Sequence, residues 1–213
     1  DELMAGSEDE RTTYRIKAGV PGPLVEAAII DAEGNFLPAD GEAQGELVLR
    51  APWLSEGYFN EPQKGAELWE GGWLHTGDVA TLDSMGVIDI RDRIKDVIKT
   101  GGEWISSLDL EDLISRHAAV REVAVVGIAD PQWGERPFAL LVIREGHEIG
   151  ARELKEHLKP FVELGHLSKW AIPSQIALVT EIPKTSVGKL DKKRIRVDIS
   201  EWQASNSTFL STL

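Results

Sequence analysis

Three short stretches of this 213-residue chain hold side chains that could do chemistry, and the richest in cations is EIPKTSVGKLDKK at 181–193. A Gly-Lys pair after a polar run suggests a phosphate loop, which needs a glycine five positions earlier and a Ser or Thr afterwards. Those places hold Pro183 and Leu190, so that reading fails. Lys189 is instead a cation on a loop shaped by Pro183 and Gly188, suited to an anion. The second stretch is GWLHTGDVATLD at 72–83. Asp78 follows a glycine at the start of an expected strand, where a carboxylate can accept hydrogen bonds from two vicinal hydroxyls; the alternative is an Asp satisfying backbone donors in a turn. His75 has no Ser or Asp spaced for a catalytic triad and reads as structural. The third stretch is RDRIKDVIKTGGEW at 91–104. Arg93 offers a planar fork for phosphate or ribose oxygens, and Lys95 and Lys99 offer point charges. Gly101 and Gly102 would let backbone pass close to a ligand; the alternative is a charged β-hairpin with a glycine turn.

The elements that must carry these residues change type along the chain. Short Val/Ile/Leu-rich runs at 25–31, 45–50, 78–83 and 87–93, separated by Gly, Pro, Asp and Asn clusters, predict strands joined by turns. No long 3.6-residue periodicity appears before residue 105. After it, Ser106 or Ser107 can cap a helix with Asp109, Glu111 and Asp112 in its first turn and Leu110, Leu113, Ile114 and His117 along one face. Strands follow at 122–129, 138–144 and 175–180, with a helix from about Ala151 that Pro160 ends or kinks. A short helix is expected from about Leu190, and the polar tail EWQASNSTFLSTL reads as disordered. The fold class is α+β: a β-rich first part, then a small α+β domain with a three-stranded sheet core and flanking helices. The boundary falls in 91–104, where charge and element type both switch and the Gly-Gly pair suits a hinge.

Composition narrows the function. With 42% apolar residues the chain can build an ordinary core, and with no cysteine it has no disulfide, thiolate zinc site or cysteine nucleophile. No apolar run approaches a membrane span, and the first residues lack a signal-peptide layout, so a cytoplasmic protein is the default reading. Net charge is −13, and residues 1–93 carry 19 Asp/Glu against 7 Lys/Arg. Such a chain is a poor polyanion binder, which argues against nucleic acid. Within it, residues 181–196 hold six Lys/Arg against Glu181 and Asp191, an island suited to a compact anion such as the phosphates of one nucleotide.

TGD at 76–78, RDRIKDVIKTGGEWISS at 91–107 and PKTSVGK at 183–189 together resemble the C-terminal signature motifs of the acyl-adenylate-forming superfamily. GGEWISSLDLE is most similar to the medium- and long-chain fatty acid–CoA ligase branch. The resemblance covers most of the chain, to about residue 200. The family's Ser/Thr/Gly-rich phosphate loop and its Tyr-Gly-x-Thr-Glu motif are not in it. The resemblance places them, with the acyl pocket and the Mg2+ sites, upstream of Asp1. The chain is then the C-terminal portion of a longer enzyme: a barrel-like last subdomain of the large domain at 1–93, then a mobile C-terminal domain at 94–213.

The resemblance implies two half-reactions, with ATP and coenzyme A as co-substrates and a fatty acid as substrate. A carboxylate attacks the α-phosphate of ATP, and the CoA thiol then takes the acyl group from the adenylate. Asp78 would hold the ribose hydroxyls and Arg93 would contact ribose or phosphate. Lys189 would bridge the attacking carboxylate and the α-phosphate, and the island would help draw in ATP. The hinge would be Lys95. Gly101 and Gly102 would flank the pantetheine channel, with Lys99 and Trp104 on the same face. The 213 residues alone are expected to be inactive, and any homodimer would form through the upstream part. Rival readings are another acid–thiol ligase or amino-acid-activating enzyme of the superfamily, or a non-catalytic binding module on this fold.

Overall fold

The computed structural model describes residues 7–204 and 210–212, which divide into two compact units that meet in sequence between Lys95 and Asp96. The first unit is built on a four-stranded antiparallel sheet in the order β1 (Glu26–Ile30), β2 (Gly45–Arg50), β3 (Leu74–Leu82) and β4 (Ile88–Arg93). Alternating positions of these strands put Ile29, Leu47, Ala80, Leu82 and Ile88 into one apolar cluster. Turn chemistry closes the hairpins. Asp83 Oδ1 accepts from the backbone N–H of Met85 and Val87 across the β3–β4 turn, with Gly86 at φ +79°.

The second unit starts with a tight hairpin, β5 (Ile98–Thr100) and β6 (Glu103–Ile105), whose turn is Gly101-Gly102. A helix (Ser107–Ser115) follows, capped by the Ser106 hydroxyl, which accepts from the Asp109 N–H at 3.0 Å. Long β7 (Val120–Asp130) and β8 (Gly134–Ile143) pair antiparallel, the Ala151–Glu163 helix crosses over, and β9 (Gln175–Leu178) returns parallel to β8. Both faces of this sheet are covered. Val123 and Val125 point toward Leu110, Ile114, Leu154 and Leu158, while Ala124 and Val126 point toward Ile195 and Ile199. That double burial explains why VAVVGIA is continuously apolar rather than alternating.

In chain order the helices are α1 (Glu8–Arg15), α2 (Pro62–Leu68), α3 (Ser107–Ser115), α4 (Ala151–Glu163) and α5 (Lys192–Ala204). The first two were not visible as periodicity. α1 is polar except for Tyr14, and α2 begins on Pro62 and buries none of its residues, so neither carries an apolar stripe. Pro160 neither ends α4 nor breaks it; both it and Glu156, whose carbonyl loses its helical donor, are exposed to water. The strand carrying Asp78 starts four residues earlier than expected, because β2 pairs with Leu74 and His75 ahead of the glycine. The three expected strands of the second unit form its core, and the sheet extends to six through β5, β6 and β10 (Leu210–Thr212). β10 pairs with the edge of β9, and α5 runs to Ala204, so these parts of the tail are ordered. Residues 205–209 and 213, for which disorder was also expected, lie outside the described residues. Among the described residues no helix is long and apolar enough to cross a membrane.

α5 is fixed to the sheet by two isoleucines, Ile195 and Ile199, that are essentially fully buried, whereas Val197 between them is 45% exposed. Ile195→Ala should therefore cost about 2–5 kcal/mol and Val197→Ala no more than about 0.5 kcal/mol, read as shifts in the urea midpoint of the 213-residue chain. Equal shifts would show that α5 does not pack on this face.

Candidate functional site

Asp78 and Arg93 are direct cross-strand partners of β3 and β4, and Arg93 Nε donates to Asp78 Oδ1 at 2.8 Å. The pair sits at the surface, with 61% of the arginine side chain exposed. The residues before Asp78 are braced by a carboxylate the sequence reading did not single out. Glu46 Oε1 accepts the Gly77 N–H at 3.0 Å, and its Oε2 meets His75 Nδ1 at 2.9 Å. The Thr76 hydroxyl donates to the Leu47 carbonyl at 2.7 Å and accepts the Asp78 N–H at 3.1 Å. Gly77 has φ +70°, a conformation that glycine adopts without steric cost. His75 thus serves the frame: its other ring nitrogen faces the Glu70 carbonyl. Glu46 and Gly77 are 31 positions apart, and only the β2–β3 register brings them together.

In the second unit the Gly-Gly turn is a hairpin tip, both glycines having positive φ (58° and 85°). The ring of Trp133 lies against Gly101, where a Cβ would meet it at 3.4 Å, and the Gly101 N–H donates to the Trp133 carbonyl. The Lys99 ammonium lies 5.0 Å from the centre of the Trp104 ring, its direct cross-strand partner. Trp133 in turn packs on Trp170 with ring centres 4.4 Å apart, and Lys169 and Arg136 flank Trp170 at 4.9 and 5.9 Å. Lys99, Gly101, Gly102 and Trp104 thus share one hairpin beside a tilted pair of tryptophans flanked by cations. Trp133 and Trp170 were missed because isolated tryptophans carry no spacing signal.

The lysine loop is a closed turn. The Gly188 N–H donates to the Thr185 carbonyl, the Thr185 N–H to the Lys189 carbonyl at 2.7 Å, and the Lys189 N–H to the Thr185 hydroxyl at 3.2 Å. At its neck the Asp191 N–H reaches the Pro183 carbonyl at 2.9 Å. This loop presents Lys189 to solvent.

The cationic island is mostly neutralised in place. Lys184 pairs with Glu122 at 2.8 Å, Lys192 with Glu111 at 2.9 Å, Arg194 with Asp198 at 2.7 Å and Arg196 with Asp96 at 2.9 Å. Among the described residues no carboxylate lies within ion-pair distance of Lys189 or Lys193. The expectation of a broad attracting island is corrected accordingly: four of the six charges are spent on internal ion pairs. Lys95 is the last residue of the first unit, and its side chain is exposed. Among the described residues no group of His, Asp and Glu could hold a metal ion.

Residues 109–189 match the AMP-binding enzyme C-terminal domain family. The chain is 44% identical to a long-chain-fatty-acid–CoA ligase of Thermus thermophilus, the match covering 91% of this chain and 35% of that protein. It is 40% identical to a 3-methylmercaptopropionyl-CoA ligase of Ruegeria lacuscaerulensis, over 91% of this chain and 34% of that one. Among solved structures it resembles the o-succinylbenzoate CoA synthetase MenE of Bacillus subtilis in complex with its acyl-adenylate intermediate. The TM-score is 0.74 at 29% identity, over 90% of this chain and 37% of that one. The chain therefore spans about a third of the length of the curated relatives it matches.

One ion pair at the foot of the loop has a pH signature. The hydrogen bond from Lys184 holds the Glu122 carboxyl below its ordinary value. A depressed carboxyl pKa stabilises the folded state above the unfolded pKa, and this contribution is lost as pH falls through the folded one. The Glu122 side-chain carbon should accordingly titrate at lower pH in the parent chain than in Lys184→Met, as read by NMR. Identical midpoints would show that the contact does not persist in solution.

Proposed function

We propose that this chain, which belongs to the AMP-binding enzymes through its C-terminal domain, is the C-terminal part of an ATP-dependent fatty acid–CoA ligase. The observation that carries the proposal is Lys189: a loop cation with no ion-pair partner among the described residues, while four of the five other cations of the island are held by carboxylates. In the first half-reaction a fatty-acid carboxylate oxygen attacks the α-phosphorus of ATP, and the bond to pyrophosphate breaks. Two anions must meet, so a preorganised cation at the reacting oxygens offsets their repulsion and stabilises the charge that develops. Lys189 supplies that cation, and Lys193 is the other island charge without an ion pair among the described residues. Asp78, on its braced strand, accepts hydrogen bonds from the ribose hydroxyls, and Arg93 contacts ribose or phosphate. The Asp78–Arg93 contact supports this by fixing the direction in which the carboxylate points. ATP arrives with Mg2+; the described residues offer no ligand set for it, and no step is assigned to it.

In the second half-reaction the CoA thiolate attacks the acyl carbon, the thioester forms and AMP leaves. Lys189 is not needed there. The proposal gives this step to the hairpin face of Gly101, Gly102, Lys99 and Trp104, extended by Trp133 and Trp170, whose rings and flanking cations suit the flat, anionic nucleotide end of CoA. The switch between steps is a swivel of the domain at 94–213 against the part at 1–93, with Lys95 as hinge, and the boundary of the two compact units after Lys95 supports that position. The relative named for 3-methylmercaptopropionyl-CoA supports a second reading within the same class, in which the acid is not a fatty acid. Pyrophosphate exchange against a panel of carboxylic acids separates the two.

In the full-length enzyme, Lys189→Ala should slow adenylation by at least about 100-fold and leave conversion of preformed acyl-adenylate to acyl-CoA largely intact. Equal loss of both steps would make the residue structural. Lys95→Pro fixes φ near −65° and should arrest the swivel, so that pyrophosphate exchange survives while thioester formation collapses. Lys95→Ala should impair the second step far less. If alanine and proline damage it equally, the ammonium group matters and the hinge lies elsewhere.

A further inference from the structure

Lys192 stands three residues beyond Lys189 and looks in sequence like another member of the attracting island. Its side chain is only 9% exposed and its partner Glu111 only 11%. Lys192 Nζ donates to Glu111 Oε1 at 2.9 Å and to the Ser107 hydroxyl at 2.7 Å. Glu111 Oε1 also accepts the Val125 N–H at 2.7 Å. One buried ammonium therefore ties the first residue of α5 to the first turns of α3 and, through Glu111, to the middle of β7. One turn on, at i+4 and on the same face of α5, Arg196 reaches Asp96, the first residue of the second unit.

We propose that Lys192 is a positioning residue for Lys189, and that α5 is a strut making the lysine loop one rigid body with the glycine hairpin. The loop neck, closed by Asp191 N–H to the Pro183 carbonyl, lies immediately before Lys192, so a fixed Lys192 fixes the foot from which Lys189 projects. At the other end α3 starts directly after the hairpin, at the Ser106 cap. An ion pair removed from water tolerates little misalignment, because displacement leaves an uncompensated buried charge. An exposed lysine in the same place would have no such constraint. The tie to Lys189 chemistry rests on the proposed ligase function, but the rigidity does not.

The test is amide hydrogen exchange on the 213-residue chain. Breaking one partner alone leaves an uncompensated buried charge, so the variant is the double substitution Glu111→Gln with Lys192→Met, which removes both charges and keeps an oxygen for the Val125 N–H. Protection of the Thr185, Gly188 and Asp191 amides should fall by about tenfold or more, while the β7–β8 ladder keeps its protection. Unchanged loop amides would overturn the proposal, and so would an equal loss across the whole unit, which would make the pair a general stability element. In the full-length enzyme the same variant should lower kcat for adenylation with KM for ATP unchanged, and Lys192→Arg with Glu111 intact should recover most of it. If the exchange result holds but kcat does not move, Lys192 does not position Lys189 for this chemistry, and the role fails independently of the rigidity.

Discussion

In the account proposed here, the buried contact between Lys192 and Glu111 is the constraint on which the placement of the lysine loop within the second unit depends. Removing two charges from water is costly, and the cost is offset only when their geometry is good and their remaining hydrogen-bonding capacity is used. Here Ser107 and the Val125 N–H take up part of that capacity. Three elements, the consecutive α3 and β7 and the sequence-distant α5, thereby acquire one permitted arrangement. The apolar packing of Ile195 and Ile199 holds α5 on the sheet, but hydrophobic contact is not directional. The ion pair supplies the register that oily packing alone would leave loose.

In a chain with net charge −13 a lysine meant for an anionic ligand, the role proposed for Lys189, has the chain's own carboxylates as competitors. The structure resolves this by pairing. Glu122, Glu111, Asp198 and Asp96 are each occupied by a neighbouring cation, and Lys189 is held away from them on a turn whose backbone hydrogen bonds are closed internally. The acidic unit uses the opposite device. Asp78 is stiffened by a ladder position, by the Thr76 hydroxyl and by a glycine whose N–H is taken by Glu46. The two places differ in burial: Lys189 is exposed on a turn whose Thr185 and Gly188 are also exposed, whereas Asp78 and its supports Glu46, Thr76 and Gly77 are partly buried.

Much of the framework was legible because the relevant signals are local. Runs such as GELVLR and VIDIRDR, bounded by Gly and Asp, became β2 and β4, and of the two serines expected as possible caps Ser106 is the one that caps α3. What was not legible depended on pairings that the chain makes only when folded. Lys192 and Lys189 look alike in a run of basic residues, and only the 85-residue separation closed between Lys192 and Ser107 distinguishes a buried tether from an exposed cation. Glu111 read only as a first-turn charge of its helix, yet it is buried. α2 left no trace in the apolar pattern because nothing in it is buried. The stacking of Trp133 on Trp170 likewise joins two positions with no common periodicity.

The central claim is that Lys189 contributes a positive charge at a fixed place and nothing else. The chain contains no cysteine, so a Lys189→Cys substitution introduces the single thiol of this portion. In the full-length enzyme with any upstream thiols replaced, this variant can be alkylated with 2-bromoethylamine, which rebuilds an aminoethyl side chain of nearly lysine length, or with a neutral reagent of similar size. The account predicts that pyrophosphate exchange, depressed by about 100-fold or more in the unmodified variant, returns on aminoethylation and stays low after neutral alkylation. Recovery with the neutral group, or failure of the aminoethyl group to restore exchange in a folded enzyme, would contradict it.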